Sequence, residues 1–376
     1  MKRTQSLFWL LLILGQLQAQ QFIDTSFVHQ SLTRDYIIYV PANYDSASPM
    51  PLVLNFHGYG SNAGEQIFYG DFKPIADTAG FLIVSPNGTR DATNTTHWNV
   101  GWGGSNVDDL SFTNALIDTL IAHYNVDPNR VYSTGMSNGG FMSHMLACEL
   151  SNRIAAIASV TGSMTDAKLS ACNPQHPMPM MQIHGTGDLV VPYAGQSPWT
   201  TAVDSVVDYW LNINQCQLPA IETDLPDINP TDGSTVRHYQ YLNGTSGATV
   251  ELYKVFNGGH TWPNNQYVTN GTNFDFDASL AIWQFFAQYD LNGLRNTTAI
   301  EETFIPSFSL FPNPVENQLN VLRSSEQASR YQILDLNSKV VIKGSIQNAG
   351  SISLDKLTPG IYFLEIEGVY QRFVKQ

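Results

Sequence analysis

The stretch Arg130-Val131-Tyr132-Ser133-Thr134-Gly135-Met136-Ser137-Asn138-Gly139-Gly140 decides the fold. Arg130 to Thr134 reads as a strand, and beyond Gly140 the spacing of Met142, Met145 and Leu146 reads as a helix. Between them lies G-x-S-x-G, with Ser137 at the strand-to-helix turn. A serine at such a turn has strained dihedrals, and the residues two before and two after must lack side chains so that strand and helix can pass closely. Glycine occupies both places. Three specified residues of about 7% abundance each match by accident in roughly one chain in ten of this length. The pattern therefore gains its weight from context: it occurs once, at a strand-to-helix junction, and two further sites follow it.

Serine at its ordinary acidity is a poor nucleophile and needs an adjacent imidazole, itself oriented by a carboxylate. After the apolar strand Met180 to Ile183, the loop His184-Gly185-Thr186-Gly187-Asp188 presents an acid. After the strand Val250 to Val255, Asn257-Gly258-Gly259-His260 presents an imidazole. The order Ser137, Asp188, His260 is that of α/β-hydrolase sheets. Asp166 and Asp204 are substitutes for the acid, whereas the other eight histidines fall upstream, in helices, within a strand or where the backbone turns. His57-Gly58-Tyr59-Gly60 follows the strand Leu52 to Phe56, at the place that lends one amide to an oxyanion hole. The backbone amides of Tyr59 and Asn138 are the expected donors.

Further strands are expected at Tyr36 to Val40, Phe81 to Val84 and Ala155 to Val160, with helix-period segments between. Apolar strands alternating with helices imply a mainly parallel α/β sheet covered on both faces. Residues 291–305 read as a polar linker, and 306–376 as a small all-β, sandwich-like domain of short alternating strands. Residues 1–19 read as a signal peptide, because Lys2 and Arg3 precede the apolar run Leu7 to Leu14, which is too short to span a bilayer. No membrane span is expected after it, and the catalytic domain is assigned to residues 20–290.

The 376 residues are 13% charged, about half the usual share, and carry a net charge of −14. Residues 20–290 hold 8 basic against 24 acidic side chains, whereas 291–376 balance at 8 and 8. That surface disfavours nucleic acid, anionic lipid and polyuronate and favours a neutral, polymeric substrate. Of the three cysteines, Cys172 and Cys216 lie in irregular sequence and are the expected disulfide, with Cys148 packed as a free thiol in a helix. Trp98, Trp102, Trp199 and Trp262 lie near the active loops, and Trp102, Trp199 and Trp262 are candidate substrate contacts. Asp275 and Asp277 are too few for a calcium site, and neither metal nor other cofactor is expected.

The segments LVLNFHGYGSN, VDPNRVYSTGMSNGGFMSHMLACE, HGTGDLVVPY and GGHTWP together resemble the esterase family that groups polyhydroxybutyrate depolymerases with secreted feruloyl and acetylxylan esterases. The resemblance spans about residues 30 to 290 and implies hydrolysis of carboxylic esters by Ser137, Asp188 and His260 without a cofactor. FPNPVENQLNV, YQILDLNSKVVIKG and LTPGIYFLEI resemble the C-terminal sorting domain of the type IX secretion system, which implies export and release or attachment at the cell surface. A feruloyl or acetyl ester of plant-wall polysaccharide is the leading substrate. A polyester such as polyhydroxybutyrate is the alternative, and a catalytically inactive surface-binding protein is the reading from another class.

Overall fold

A computed structural model describes residues 20–295 except 266 and 269, and 308–375 except 312–314, 324–327, 336–338, 348, 367 and 368. The expected signal peptide, and the expected linker beyond residue 295, lie outside the described residues. The chain divides into two compact units, Met1–Asn296 and Thr297–Gln376.

The first unit is built on a ten-stranded sheet. In chain order its strands are β1 (Gln21–His29), β2 (Leu32–Val40), β3 (Met50–Phe56), β4 (Leu82–Pro86), β5 (Val126–Met136), β6 (Ala156–Val160), β7 (Met180–Gly185), β8 (Ile221–Asp224), β9 (Thr235–Tyr241) and β10 (Val250–Phe256). Across the sheet they run β1-β2-β4-β3-β5-β6-β7-β10-β9-β8. The middle, from β4 to β10, is parallel, and antiparallel pairs close both ends. Every residue of β3, β6 and β7 is buried, which is why those strands read as unbroken apolar runs. The edge strands β1 and β8 escape such a reading because they bury little: β8 is exposed throughout, and β1 at alternate positions.

Side chains alternate between two cores. Leu52, Leu54 and Phe56 face a core shared with helices α3 (Asp109–His123), α4 (Asn138–Glu149) and α6 (Val203–Asn214). Val53 faces another, shared with α2 (Lys73–Ala79), which follows the short α1 (Ala63–Tyr69), and with α7 (Ala278–Phe286). Asp108 caps α3 by accepting from the Ser111 amide, and Asp277 caps α7 in the same way through Leu280. Beyond residue 290 the unit continues as a short ribbon, Tyr289–Asp290 against Gly293–Leu294, with the Leu291 amide bound to the Asn129 carbonyl at 3.0 Å. Residues 291–295 are thus part of this unit and not of a linker.

The disulfide differs from expectation. Cys148 bonds to Cys172, with Cα atoms 5.0 Å apart, and Cys216 is the free thiol. Cys148 occupies the last turn of α4, where it is half-buried and reaches the chain leaving the short helix α5 (Asp166–Ala171). Cys216 follows α6, where its thiol lies against the Ala248 carbonyl and burial pushes it up to about 11.

The second unit has a three-stranded sheet (Phe308–Phe311, Gln318–Arg323, Ala349–Ser353) and a four-stranded one (Val340–Ile346, Ser329–Leu334, Gly360–Ile366, Val369–Lys375). All pairs are antiparallel, and both sheets contribute to one core containing Leu319, Ile333, Leu364 and Phe373.

Candidate active site

Strand β5 ends at Met136 and α4 begins at Asn138, leaving Ser137 alone at the corner with φ 55° and ψ −119°. A non-glycine residue at positive φ is strained, and such strain persists only where the surroundings enforce it. Here the enforcement is close packing. A Cβ on Gly139 would fall 2.1 Å from the Phe56 carbonyl oxygen, and one on Gly135 would fall 2.5 Å from that same atom. Only glycine lets the strand, the helix and the end of β3 meet.

The acid and the imidazole follow β7 and β10, which lie beyond β6 on the side of β5 away from β3. His260 Nδ1 stands 2.7 Å from Asp188 Oδ2. The other carboxylate oxygen accepts the Val190 and Val191 amides, each at 2.8 Å. Asp188 is buried, which by itself would favour its protonated form. Hydrogen bonds from His184 and His260 outweigh burial and hold the carboxyl well below the usual carboxylate range. With Nδ1 committed to Asp188, a neutral His260 has Nε2 as its basic nitrogen. Among the described residues no hydrogen bond joins Ser137 Oγ to His260 in this conformation. The substitutes for the acid are engaged elsewhere: Asp166 accepts the Ser197 and Thr201 hydroxyls, and Asp204 that of Tyr193.

The expected oxyanion loop is fixed through His57. Its Nδ1 donates to the Gly58 carbonyl at 2.7 Å, and its Nε2 accepts the Gly88 amide at 2.9 Å. Burial pushes His57 down to about 4, so the ring is neutral and both nitrogens keep these roles. The Gly58 carbonyl and the Tyr59 N–H belong to one trans peptide plane and point in opposite directions. Holding the carbonyl therefore aims the amide. The neighbouring donor is held by Trp98: its amide donates to Asn138 Oδ1 at 2.6 Å, its carbonyl accepts Asn138 Nδ2 at 3.1 Å, and its indole N–H donates to the His57 carbonyl at 3.0 Å. Sequence reading placed Trp98 among aromatics near the site; the structure buries it completely as a clamp between the two loops.

Trp262 is likewise no substrate contact. It is 2% exposed, packs edge-on against Phe72, and donates to Ser279 Oγ. The apolar core beneath α7 claimed it. Trp102 and Trp199 are partly buried and form an aromatic group with Phe141, one turn into α4 from Ser137. The Tyr59 ring, 46% exposed, approaches Trp102 edge-on, and its hydroxyl donates to Asp91 at 2.6 Å. Leu189 and Val190, beside Asp188, are exposed large apolar side chains that sequence reading did not single out. Asp275 accepts the Ile228 and Asn229 amides and Asp277 caps α7, so both have structural partners, and the described residues hold no cluster of potential metal ligands.

Comparison with known proteins places these motifs. Residues 34–196 match the family described as esterase PHB depolymerase, and residues 309–376 match the secretion system C-terminal sorting domain. The chain is 28% identical over 203 residues to a probable feruloyl esterase C of Aspergillus niger, covering 52% of this chain and 67% of that one. It is 31% identical over 171 residues to feruloyl esterase D of Neurospora crassa (42% and 54%), and 31% identical over 164 residues to a bifunctional acetylxylan esterase/xylanase of Neocallimastix patriciarum (44% and 23%). It thus spans between about a quarter and two thirds of the length of these relatives. Among solved structures, an acetyl xylan esterase from Aspergillus awamori superposes with a TM-score of 0.44 at 14% identity, over 65% of this chain and 94% of that one. The chain is thus similar to the esterase PHB depolymerase family through residues 34–196, and to a secretion system C-terminal sorting domain over residues 309–376.

Proposed function

We propose that the protein is an exported serine hydrolase of carboxylic esters, with Ser137 as nucleophile, His260 as general base and acid, and Asp188 as the carboxylate that orients the imidazole. The observation that carries this reading is the 2.7 Å bond between His260 Nδ1 and Asp188, whose loops follow the third and second strands along the sheet from the one that ends at a serine held at positive φ. As Ser137 Oγ attacks the ester carbonyl, its proton passes to His260 Nε2, and the tetrahedral oxyanion is met by the Tyr59 and Asn138 amides. Collapse expels the alcohol, which takes the proton from His260, and leaves the acyl group on Ser137. Water then attacks the acyl-enzyme, giving its proton to His260, and the acid departs as Ser137 recovers its proton.

The preferred substrates are feruloyl or acetyl esters on plant-wall polysaccharide. Support comes from the names of the relatives, from the excess of acidic residues between 20 and 290, and from the aromatic group of Tyr59, Trp102, Phe141 and Trp199 beside the elbow. The description of the matching family favours a second reading, depolymerisation of a polyester. The sorting domain supports delivery by type IX secretion to the medium or the cell surface, and no described helix is long and apolar enough to cross a membrane. Purified protein is to be assayed on methyl ferulate, acetylxylan and polyhydroxybutyrate film beside Ser137→Ala. Preference for the first two substrates supports the plant-wall reading, clearing of the film alone supports the second, and hydrolysis by Ser137→Ala at the parent rate refutes the mechanism.

A further inference from the structure

Behind the Asp188–His260 pair, four side chains that ester hydrolysis leaves unused form one buried line: Trp210 on α6, His144 on α4, and Gln182 and His184 on β7. Each is at most 1% exposed. Trp210 Nε1 lies 3.2 Å from His144 Nδ1, His144 Nε2 lies 3.1 Å from Gln182 Oε1, and Gln182 Nε2 lies 3.2 Å from His184 Nδ1. The line ends at His184 Nε2, which is 2.8 Å from the Val191 carbonyl and 3.4 Å from Asp188 Oδ2.

The chemistry of the end groups leaves every proton one place to be. An indole N–H only donates, so His144 Nδ1 accepts and His144 Nε2 carries the hydrogen. That hydrogen needs the Gln182 oxygen, and the Gly162 carbonyl, 3.0 Å from Gln182 Nε2, needs the Gln182 amide hydrogens. The two anchors fix the amide in one orientation. Its remaining N–H faces His184 Nδ1, which must accept and therefore carries no proton. His184 is then neutral with its hydrogen on Nε2, shared between the Val191 carbonyl and Asp188. A doubly protonated His184 would set two donors against each other at Gln182.

We propose that His144, Gln182 and His184 are positioning residues of the hydrolytic site, a one-way hydrogen-bond relay that presents a fixed N–H to Asp188 and holds the loop from Asp188 to Val191 in place. The proposal rests on the assignment of Asp188 and His260 made above. Val191 joins the two effects, since its carbonyl takes the His184 hydrogen while its amide donates to Asp188 Oδ1 at 2.8 Å. None of the three side chains needs to touch substrate. Their contribution is to fix the oxygen that receives His260, so it falls on turnover and not on substrate binding.

The test is Gln182→Met, similar in length and unable to donate or accept, in the full chain. Without the Gln182 amide, His184 is free to take its other tautomer, and loss of its hydrogen bond to the charged Asp188 predicts that kcat falls about 10- to 100-fold with KM within about twofold, and that labelling of Ser137 by a fluorophosphonate slows by a similar factor. His184→Leu is expected to match it, whereas His184→Gln, which keeps an N–H near the Nε2 position, recovers most of the loss. Nitrogen-15 spectra of the histidine rings in the unsubstituted protein keep the proposal falsifiable if the variants do not fold: His144 and His184 both show hydrogen on Nε2 and a bare Nδ1. A protonated Nδ1 on His184, or Gln182→Met turning over at the parent rate while Ser137→Ala is inactive, overturns the relay alone. Parent-rate turnover by Ser137→Ala overturns the triad reading first.

Discussion

Mild acid should destabilise the first unit through two buried histidines. His57 and His144 are both pushed by burial from an ordinary value near 6.5 down to about 4. In the unfolded chain they titrate near 6.5, so between these values the unfolded state binds more protons than the folded one. Their stabilisation is complete above pH 6.5 and is lost as the pH falls toward 4, by about 1.4 kcal/mol per pH unit for each ring. Between pH 6.5 and 5 the pair removes about 4 kcal/mol, a large part of the roughly 5 to 15 kcal/mol that holds a domain folded. Asp188 does not contribute in this window, because its depressed carboxyl stays ionised throughout; burial raises Asp277, which acts in the opposite sense. The assay is urea denaturation at pH 7, 6 and 5, followed by tryptophan fluorescence. The chain has no tryptophan after Trp283, so the signal reports the first unit alone. The parent loses stability steeply below pH 6.5, and His57→Gln and His144→Gln each remove about half the slope. A free energy that is flat from pH 7 to 5, or a slope that survives in both variants, refutes the reasoning.

Removing the His57 ring by His57→Ala frees the Gly58–Tyr59 peptide and forfeits one oxyanion donor, so kcat on a nitrophenyl ester is expected to fall about 10²- to 10³-fold, as steady-state kinetics will show. Gly139→Ala forces a Cβ to 2.1 Å from the Phe56 carbonyl; overpacking against backbone costs at least about 1 to 3 kcal/mol, and a melting temperature equal to the parent's would contradict the packing described. Non-reducing peptide mapping should recover Cys148 linked to Cys172, and Cys148→Ser should lower stability by about 3 kcal/mol for a loop closed over 24 residues. Trp262→Ala should cost about 3 to 5 kcal/mol by leaving a core cavity. Trp199→Ala should instead raise KM for aryl esters at nearly unchanged stability, and the reverse pattern would exchange their roles.

The central sheet was legible because strands buried on both faces leave a continuous apolar trace, as in Leu52 to Phe56 and Met180 to Ile183. The edge strands β1 and β8 were not, because little of either is buried and their backbone pairing alone leaves no mark in composition. Ser137, Asp188 and His260 were legible as candidates because glycine-rich turns at strand ends announce themselves one at a time. What could not be read is which distant side chains share a core. Trp262 looked like a rim residue because it follows His260 by two positions, yet it points beneath α7. Cys148 looked like a helix-core thiol because its run is apolar, although the last turn of α4 carries it to Cys172. The roles of His57 and His184 were hidden for the same reason: each acts on a carbonyl or carboxylate whose place is known only once the turns are folded.

The Trp98 clamp has a consequence for how the proposed ester specificity can change. The indole of Trp98 and its backbone N–H and C=O tie the loop bearing Tyr59 to the corner bearing Asn138, so the paired amides behave as a single rigid part, insensitive to what is built around them. The exposed side chains of Tyr59, Leu189 and Val190 hang outside that part. On the proposed function, saturation libraries confined to this rim exchange one acyl preference for another while the proposed triad and amides beneath are left undisturbed.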